Sequence, residues 1–403
     1  MLSITKLLFS RTYFGDSLRY VKDAHAMRNG AATGVGPVVV WNSTRTCNLR
    51  CRHCYMESDA QKYQGELSTD EAKHFIDDLA AFHVPVLLFS GGEPMIREDF
   101  YQLAAYAAEK GVRPTLSTNG TLIDRQAAQR LKDIGVGYVG ISLDGLRDVN
   151  DEFRGKSGAY EAAMRGIEHC TAVGQRVGLR FTINQHNFRE LERIFDFIEA
   201  EGIHRVCFYH LVYSGRGNQM MAEDLTAAES RQAMDIIIKR ARDFENRGLE
   251  KEILTVDNHC DGPYLYLKAQ AEGDTAEATH ILQLISRNGG NRSGIAFGEV
   301  DPMGYVHPDQ FTQHHTFGNV RERAFRDIWT DTSQNAILKG LKNRKPLLKG
   351  RCAHCRFLSV CNGNFRTRAE AKTGDFWASD PACYLTDAEI QGKDICQEEE
   401  LSL

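Results

Sequence analysis

The sequence predicts an α/β fold, a partial (β/α)6 barrel followed by a smaller C-terminal domain, and three observations carry that reading. From Pro37 onward, short β-branched runs alternate six times with longer amphipathic segments. The runs are apolar at consecutive positions, as in strands covered on both faces, so the sheet is parallel and covered by helices. Six units are too few to close an eight-fold barrel, and past Arg247 the alternation stops.

Residues 1–36 are mixed and glycine-containing (Asn29-Gly30-Ala31-Ala32-Thr33-Gly34) and read as an irregular arm on the main domain. The barrel, 37–250, opens with the strand Val38-Val39-Val40-Trp41 and a helix over Ser68 to Phe82, whose Ser68-Thr69-Asp70-Glu71 start supplies a cap and capping box. Val86 to Phe89 is the next strand, with a helix from Asp99 to Lys110. The pattern recurs as Pro114 to Ser117 with Asp124 to Ile134, and as Gly137 to Leu143 with Tyr160 to Val173. Gly178 to Ile183 with Phe188 to Glu201, then Val206 to Tyr209 with Thr226 to Arg247, complete it. A connecting segment (251–293), a second domain (294–390) and an acidic tail (391–403) follow.

Composition sets the class. With 42% hydrophobic and 26% charged residues, the 403-residue chain is an ordinary globular one. A net charge of −5 gives no whole-chain attraction for nucleic acid or an anionic membrane, so acidic ligands need local Arg and Lys. Leu7-Leu8-Phe9 is too short for a signal peptide core, and nothing reads as a membrane span. Eleven cysteines without export point to a reducing cytoplasm and to metal ligation.

Cys47, Cys51 and Cys54 form a CxxxCxxC loop after the first strand. Three thiolates at this spacing hold three irons of a 4Fe-4S cube and leave the fourth open to a reactant, whereas zinc sites close four positions. Polar turns follow the next three strands, Ser90-Gly91-Gly92-Glu93-Pro94, Ser117-Thr118-Asn119-Gly120 and Ser142-Leu143-Asp144-Gly145, and all should converge on one rim.

With Tyr55 directly after the third cysteine, the loop resembles the signature of the radical S-adenosylmethionine (radical SAM) superfamily. The resemblance implies that the open iron is chelated by the methionine part of SAM, and that reductive cleavage yields a 5′-deoxyadenosyl radical. It also implies that Gly91, Gly92 and Glu93 receive the methionine amine, and that Ser117, Asn119, Ser142 and Asp144 hold the ribose and carboxylate. Arg154, in Phe153-Arg154-Gly155, is similar to an arginine that contacts that carboxylate. No residue stands out as a catalytic acid or base.

Near the C-terminus Cys352, Cys355, Cys361 and Cys383 form a CxxC-x5-C…C array, a spacing that suits zinc and a 4Fe-4S cube equally. The prelude Gly298 to Pro308, with Phe317-Gly318-Asn319-Val320 and Asp327-Ile328-Trp329, resembles the extension of SPASM and twitch radical SAM proteins, which implies an auxiliary iron–sulfur cluster. Two-cluster extensions carry further cysteines, but Asn291 to Gly294 hold none, Asp309 follows Pro308, and Phe365 stands past Cys361. Two clusters per chain are therefore expected, and Cys170, Cys207 and Cys396 are ordinary thiols.

Gly36 to Asn42, Cys47 to Asp59, Val84 to Pro94 and Ser117 to Ile123 resemble the tetrapyrrole-modifying NirJ-like and AhbC-like enzymes of d1-type haem synthesis and the alternative haem pathway. What this implies is radical removal of acetate or propionate side chains from a sirohaem-derived substrate such as 12,18-didecarboxysirohaem, with a low-potential donor such as ferredoxin or flavodoxin. The alternative is a SPASM-type peptide maturase, although no leader-binding segment is evident. A carboxylate-rich, iron-bearing substrate needs cations and a neutral imidazole. His259, in the polar cluster Asp257 to Gly262, or His307 is expected to contact it, with Arg216 or Arg292 pairing a carboxylate.

Overall fold

The computed structural model describes residues 1–396 apart from Asp23 and His25, so the tail expected at 391–403 lies outside the described residues from 397 on. Strands β1 (Leu2–Ser3), β2 (Val38–Thr44), β3 (Val86–Gly91), β4 (Arg113–Thr118), β5 (Val139–Ser142) and β6 (Val177–Ile183) fall in the first half of the chain. Strands β7 (Arg205–His210), β8 (Glu252–Val256), β9 (Phe297–Val300), β10 (Tyr305–His307) and β11 (Gly318–Asn319) fall in the second. Among the described residues they form one sheet, in the order β1-β8-β7-β6-β5-β4-β3-β2-β9-β10-β11.

From β2 to β8 every pairing is parallel. The expected helices cover the outer face, and the Ser68 capping box with Glu71 forms as the sequence specifies. Alternate residues divide the layers. On β6, Leu179 and Phe181 are fully buried under the helices, where the rings of Phe195 and Phe208 meet at a tilt 5.1 Å apart, while Arg180 and Thr182 face the barrel interior.

Two expectations are corrected. The N-terminal arm is not irregular throughout: Leu2 pairs antiparallel with Thr255, and a helix at Ile4–Phe9 buries Ile4 and Leu7 completely. Apolar residues at 2, 4, 7 and 8 give this short run one buried face, and it covers the sheet edge. The alternation also does not stop at Arg247, because β8 adds a seventh parallel strand and helices Asp261–Ala271 and Thr275–Asn288 follow. Ile253-Leu254-Thr255-Val256 is a strand of the buried kind, hidden in the sequence between charged Glu250-Lys251-Glu252 and polar Asp257-Asn258.

Candidate active site

The cysteine loop leaves β2 and is caged by its neighbours. The Cys47 N–H donates to the Asp59 carbonyl (2.7 Å), and the Arg50 and Arg52 N–H groups donate to the carbonyls of Arg154 and Phe153 (3.2 and 3.0 Å). Each sulfur meets a donor: the Leu49 N–H at Cys47 (3.4 Å), Arg154 Nη1 at Cys51 (3.5 Å) and the Ser58 N–H at Cys54 (3.5 Å). Burial pushes the Cys47 thiol up to about 12, so its thiolate needs a cationic partner, which an iron cluster supplies. All eleven cysteines are free, and the loop thiols keep that role open.

Above the loop lies a cavity of about 140 Å³ lined by Cys51, Cys54, Tyr55, Gly91, Ser117, Ser142 and Arg154 among others. The ends of β2, β3, β4 and β5 therefore converge as the turn pattern requires, and those of β6, β7 and β8 join them. Tyr55 donates to Asn42 and meets Ser90, both at 3.0 Å, which fixes its ring on the cavity wall. The glycines serve close approach: a Cβ on Gly91 (φ +120°) would lie 2.3 Å from the Thr44 carbonyl, and one on Gly92 2.2 Å from that of Thr46.

Four of the rim residues expected to touch SAM do not line the cavity. Gly92 is turned onto β2, its N–H donating to Thr44 (2.7 Å). Glu93 is fully buried and accepts from the Thr118 hydroxyl (2.8 and 2.9 Å), the Asn119 N–H (2.8 Å) and the Met95 N–H (3.2 Å), so its carboxylate ties β3 to β4. Asn119 binds Asn48 (2.8 Å) and approaches Cys47 Sγ (3.9 Å). Asp144, also fully buried, pairs with Arg154 at 2.5 Å and accepts from the Thr182 N–H (3.0 Å). These polar side chains hold the loop and Arg154; sequence position alone does not distinguish that task from ligand contact.

A second, more apolar cavity of about 260 Å³ opens on the unclosed side of the barrel, between the N-terminal arm and the 288–297 segment. Arg180, Tyr209, Asp257, Gln310 and Phe311 line both cavities. His259 lines the second; burial holds its imidazole well below the ordinary value, so it is neutral, and its Nδ1 has no partner among the described residues. Arg292 also lines it, while donating to the carbonyls of Gly30 (3.0 Å) and Ala31 (3.2 Å).

The other two residues expected at the substrate line neither of these cavities. His307 is 2% exposed in the β9–β10 hairpin, its Nδ1 on the His315 carbonyl (3.1 Å), and it lines neither cavity. Arg216 lies outside the barrel mouth, its guanidinium on the carbonyls of Cys51 (2.8 Å) and Ser58 (3.1 Å), where it braces the cysteine loop. Residues the sequence reading passed over are Arg180, Tyr209, Gln310 and Phe311. The available signal was Arg180 and Thr182 at a spacing of two within an otherwise apolar strand.

In the C-terminal domain, burial raises the Cys361 thiol well above its ordinary value, and Cys383, Cys352 and Cys355 add to that shift as charged neighbours. Cys170 and Cys207 are buried, the first within the apolar core and the second beside Arg205.

This architecture, a partial parallel barrel with three thiols at the rim and four in an appended domain, defines an iron–sulfur enzyme of radical type. The model for the radical SAM superfamily matches residues 41–198, and that for an iron–sulfur cluster-binding domain, SPASM, matches residues 297–356. The chain is 54% identical to Fe-coproporphyrin III synthase of Methanosarcina barkeri, over 97% of this chain and 99% of the relative. It is 43% identical to pre-heme d1 synthase of Dinoroseobacter shibae, over 88% and 87% respectively. Among solved structures, SuiB of Streptococcus suis bound to S-adenosylmethionine superposes with a TM-score of 0.69 at 17% identity, covering 87% of this chain and 78% of SuiB. The chain belongs to the radical SAM superfamily. It is an enzyme whose cofactors are two 4Fe-4S clusters and S-adenosylmethionine.

Proposed function

We propose that this enzyme removes acetate side chains from an iron-bearing, sirohaem-derived tetrapyrrole such as 12,18-didecarboxysirohaem. The observation that carries this reading is the second cavity, an apolar space with a neutral imidazole and three arginines (Arg19, Arg180 and Arg292) on its walls, joined to the cavity above the cysteine loop. Near-full-length similarity to a protein named for Fe-coproporphyrin III supports it, and favours acetate over propionate removal because a coproporphyrin keeps its propionates.

Cys47, Cys51 and Cys54 would hold the SAM-binding cluster, and Cys352, Cys355, Cys361 and Cys383 the auxiliary one. When bound, cluster and SAM supply a carbon-centred radical able to take hydrogen from an unactivated C–H bond. The chain's own residues position and enclose. Gly91 gives a backbone wall, Ser117 and Ser142 offer hydroxyls, and Arg154, held by Asp144, presents a fixed cation for the methionine carboxylate. His259, neutral and on the wall of the second cavity, would meet the tetrapyrrole iron as a ligand. Among the described residues no helix is long and apolar enough to cross a membrane. A cytoplasmic setting with a ferredoxin or flavodoxin as electron donor is part of the same proposal.

The test is anaerobic incubation of reconstituted enzyme with SAM, dithionite and didecarboxysirohaem, followed by mass spectrometry. Sequential loss of two acetates is expected. An unchanged tetrapyrrole with 5′-deoxyadenosine formed only on a precursor peptide would overturn the reading in favour of a peptide maturase.

A further inference from the structure

Arg180 occupies the wall common to the two cavities and lacks a partner of the kind its neighbours have. Three neighbouring arginines are matched by acids, Arg154 by Asp144 (2.5 Å), Arg205 by Glu252 (3.0 Å) and Arg368 by Asp380 (2.7 Å), and Arg292 by backbone carbonyls. No ion pair and no side-chain hydrogen bond is made by Arg180 among the described residues; its guanidinium lies over the face of Tyr209, 4.7 Å from the ring centre. Asp257 shares the wall, with an unpartnered Oδ2 of its own, yet forms no ion pair with it.

The placement is built. Arg180 sits on the interior face of β6, and its stem crosses the neighbouring strand at Gly140, where a Cβ would lie 2.7 Å from Arg180 Cδ. Any larger residue at 140 would displace the guanidinium. Arg180 is half-buried, so its guanidinium is partly withdrawn from water with no acid paired to it, and an anion arriving from the second cavity would supply that pairing. An anion reaching this point from the second cavity stands directly before the residues expected to hold SAM.

We propose that Arg180 receives a carboxylate of the substrate at the junction of the two cavities and thereby selects which ring edge faces the SAM site. This rests on the tetrapyrrole reading, since a macrocycle with acid side chains around its rim is the ligand that fills an apolar cavity and delivers a carboxylate at its mouth. The planar guanidinium suits a two-point grip on that carboxylate, which orients the side chain as well as binding it.

Anaerobic titration of Fe-coproporphyrin III into the iron-loaded enzyme, read at the Soret band, tests it in wild type, Arg180→Gln and Arg180→Lys, with iron content measured for each. Arg180→Gln is expected to bind about ten- to a hundredfold more weakly, and to lose most of the salt dependence that wild type shows. Arg180→Lys, which keeps charge but grips at one point, is expected to bind about tenfold more weakly. A Gln variant with normal iron and an affinity within about twofold of wild type would overturn the proposal while leaving the tetrapyrrole reading intact. Should the Gln variant lack iron, Arg180→Lys decides, and unchanged affinity there overturns it. If wild type shows no Soret change, the tetrapyrrole reading fails and this proposal falls with it.

Discussion

At the scale of single residues, burial decides what each polar group on the rim can do. Glu93 illustrates this: burial, against its hydrogen bonds from Asn119, Thr118 and Met95, raises its carboxyl from 4.5 to about 7. The folded state then holds a proton that the unfolded chain releases near 4.5, so this group's contribution is full below that pH and is lost as pH rises through about 7. Glu93→Gln should abolish that slope in denaturant titrations run from acid to neutral pH. It should also lower stability by about 1–3 kcal/mol, because the new amide faces an N–H donor. A variant whose stability and pH slope match wild type would show that Glu93 does not tie β3 to β4. His259 runs the opposite way. Its neutral form persists below the usual histidine range, so iron–porphyrin binding through it should stay flat between about pH 6 and 8. His259→Ala should change the Soret spectrum, and an identical spectrum would remove it as ligand. The two cysteine sets were legible as patterns because most of their spacing is short; the placements of Glu93, Asp144, Arg216 and His307 were not, since they depend on which way a side chain turns after the strands assemble.

At the scale of elements, the turn after β3 is the most demanding piece. A Cβ on Gly91 or Gly92 would enter backbone carbonyls of the segment leading into the cysteine loop, at 2.3 and 2.2 Å, and backbone cannot yield as a side-chain tip can. Gly92→Ala should therefore misplace Cys47 and reduce iron at the first site. Gly158→Ala, at φ +77° with nothing within 4 Å of the added carbon, should cost only about 1 kcal/mol and keep its iron. Equal iron loading in the two variants would contradict this ranking. Elements whose hydrophobic period is long and regular, such as the helix Ala227–Asn246 with its Thr226 capping box, were readable from sequence. Strand β8 was not, because its five residues carry no periodic signature and gain their identity only from pairing with β7 and β1.

At the scale of the whole molecule, the appended domain shares the sheet of the barrel. Its first strand, β9, lies parallel to β2 and continues the sheet into β10 and β11. The joint is reinforced by Arg368, fully buried with Asp380 and donating to the carbonyls of Leu211 (3.1 Å) and Asp257 (2.6 Å), at the ends of β7 and β8. Sequence spacing divides the chain near 293, whereas the hydrogen bonds run across that point. Removing one member of a buried pair leaves an uncompensated charge, so Arg368→Met should lower stability by about 3–5 kcal/mol and loosen the segment carrying Asp257 and His259. A chain cut before β9 would expose the edge of β2, the strand that delivers the cysteine loop. Such a truncation is expected to aggregate or to load little iron at Cys47, Cys51 and Cys54, although it retains all three. Recovery of a monodisperse barrel with about four irons and normal SAM binding would show instead that the two halves fold independently.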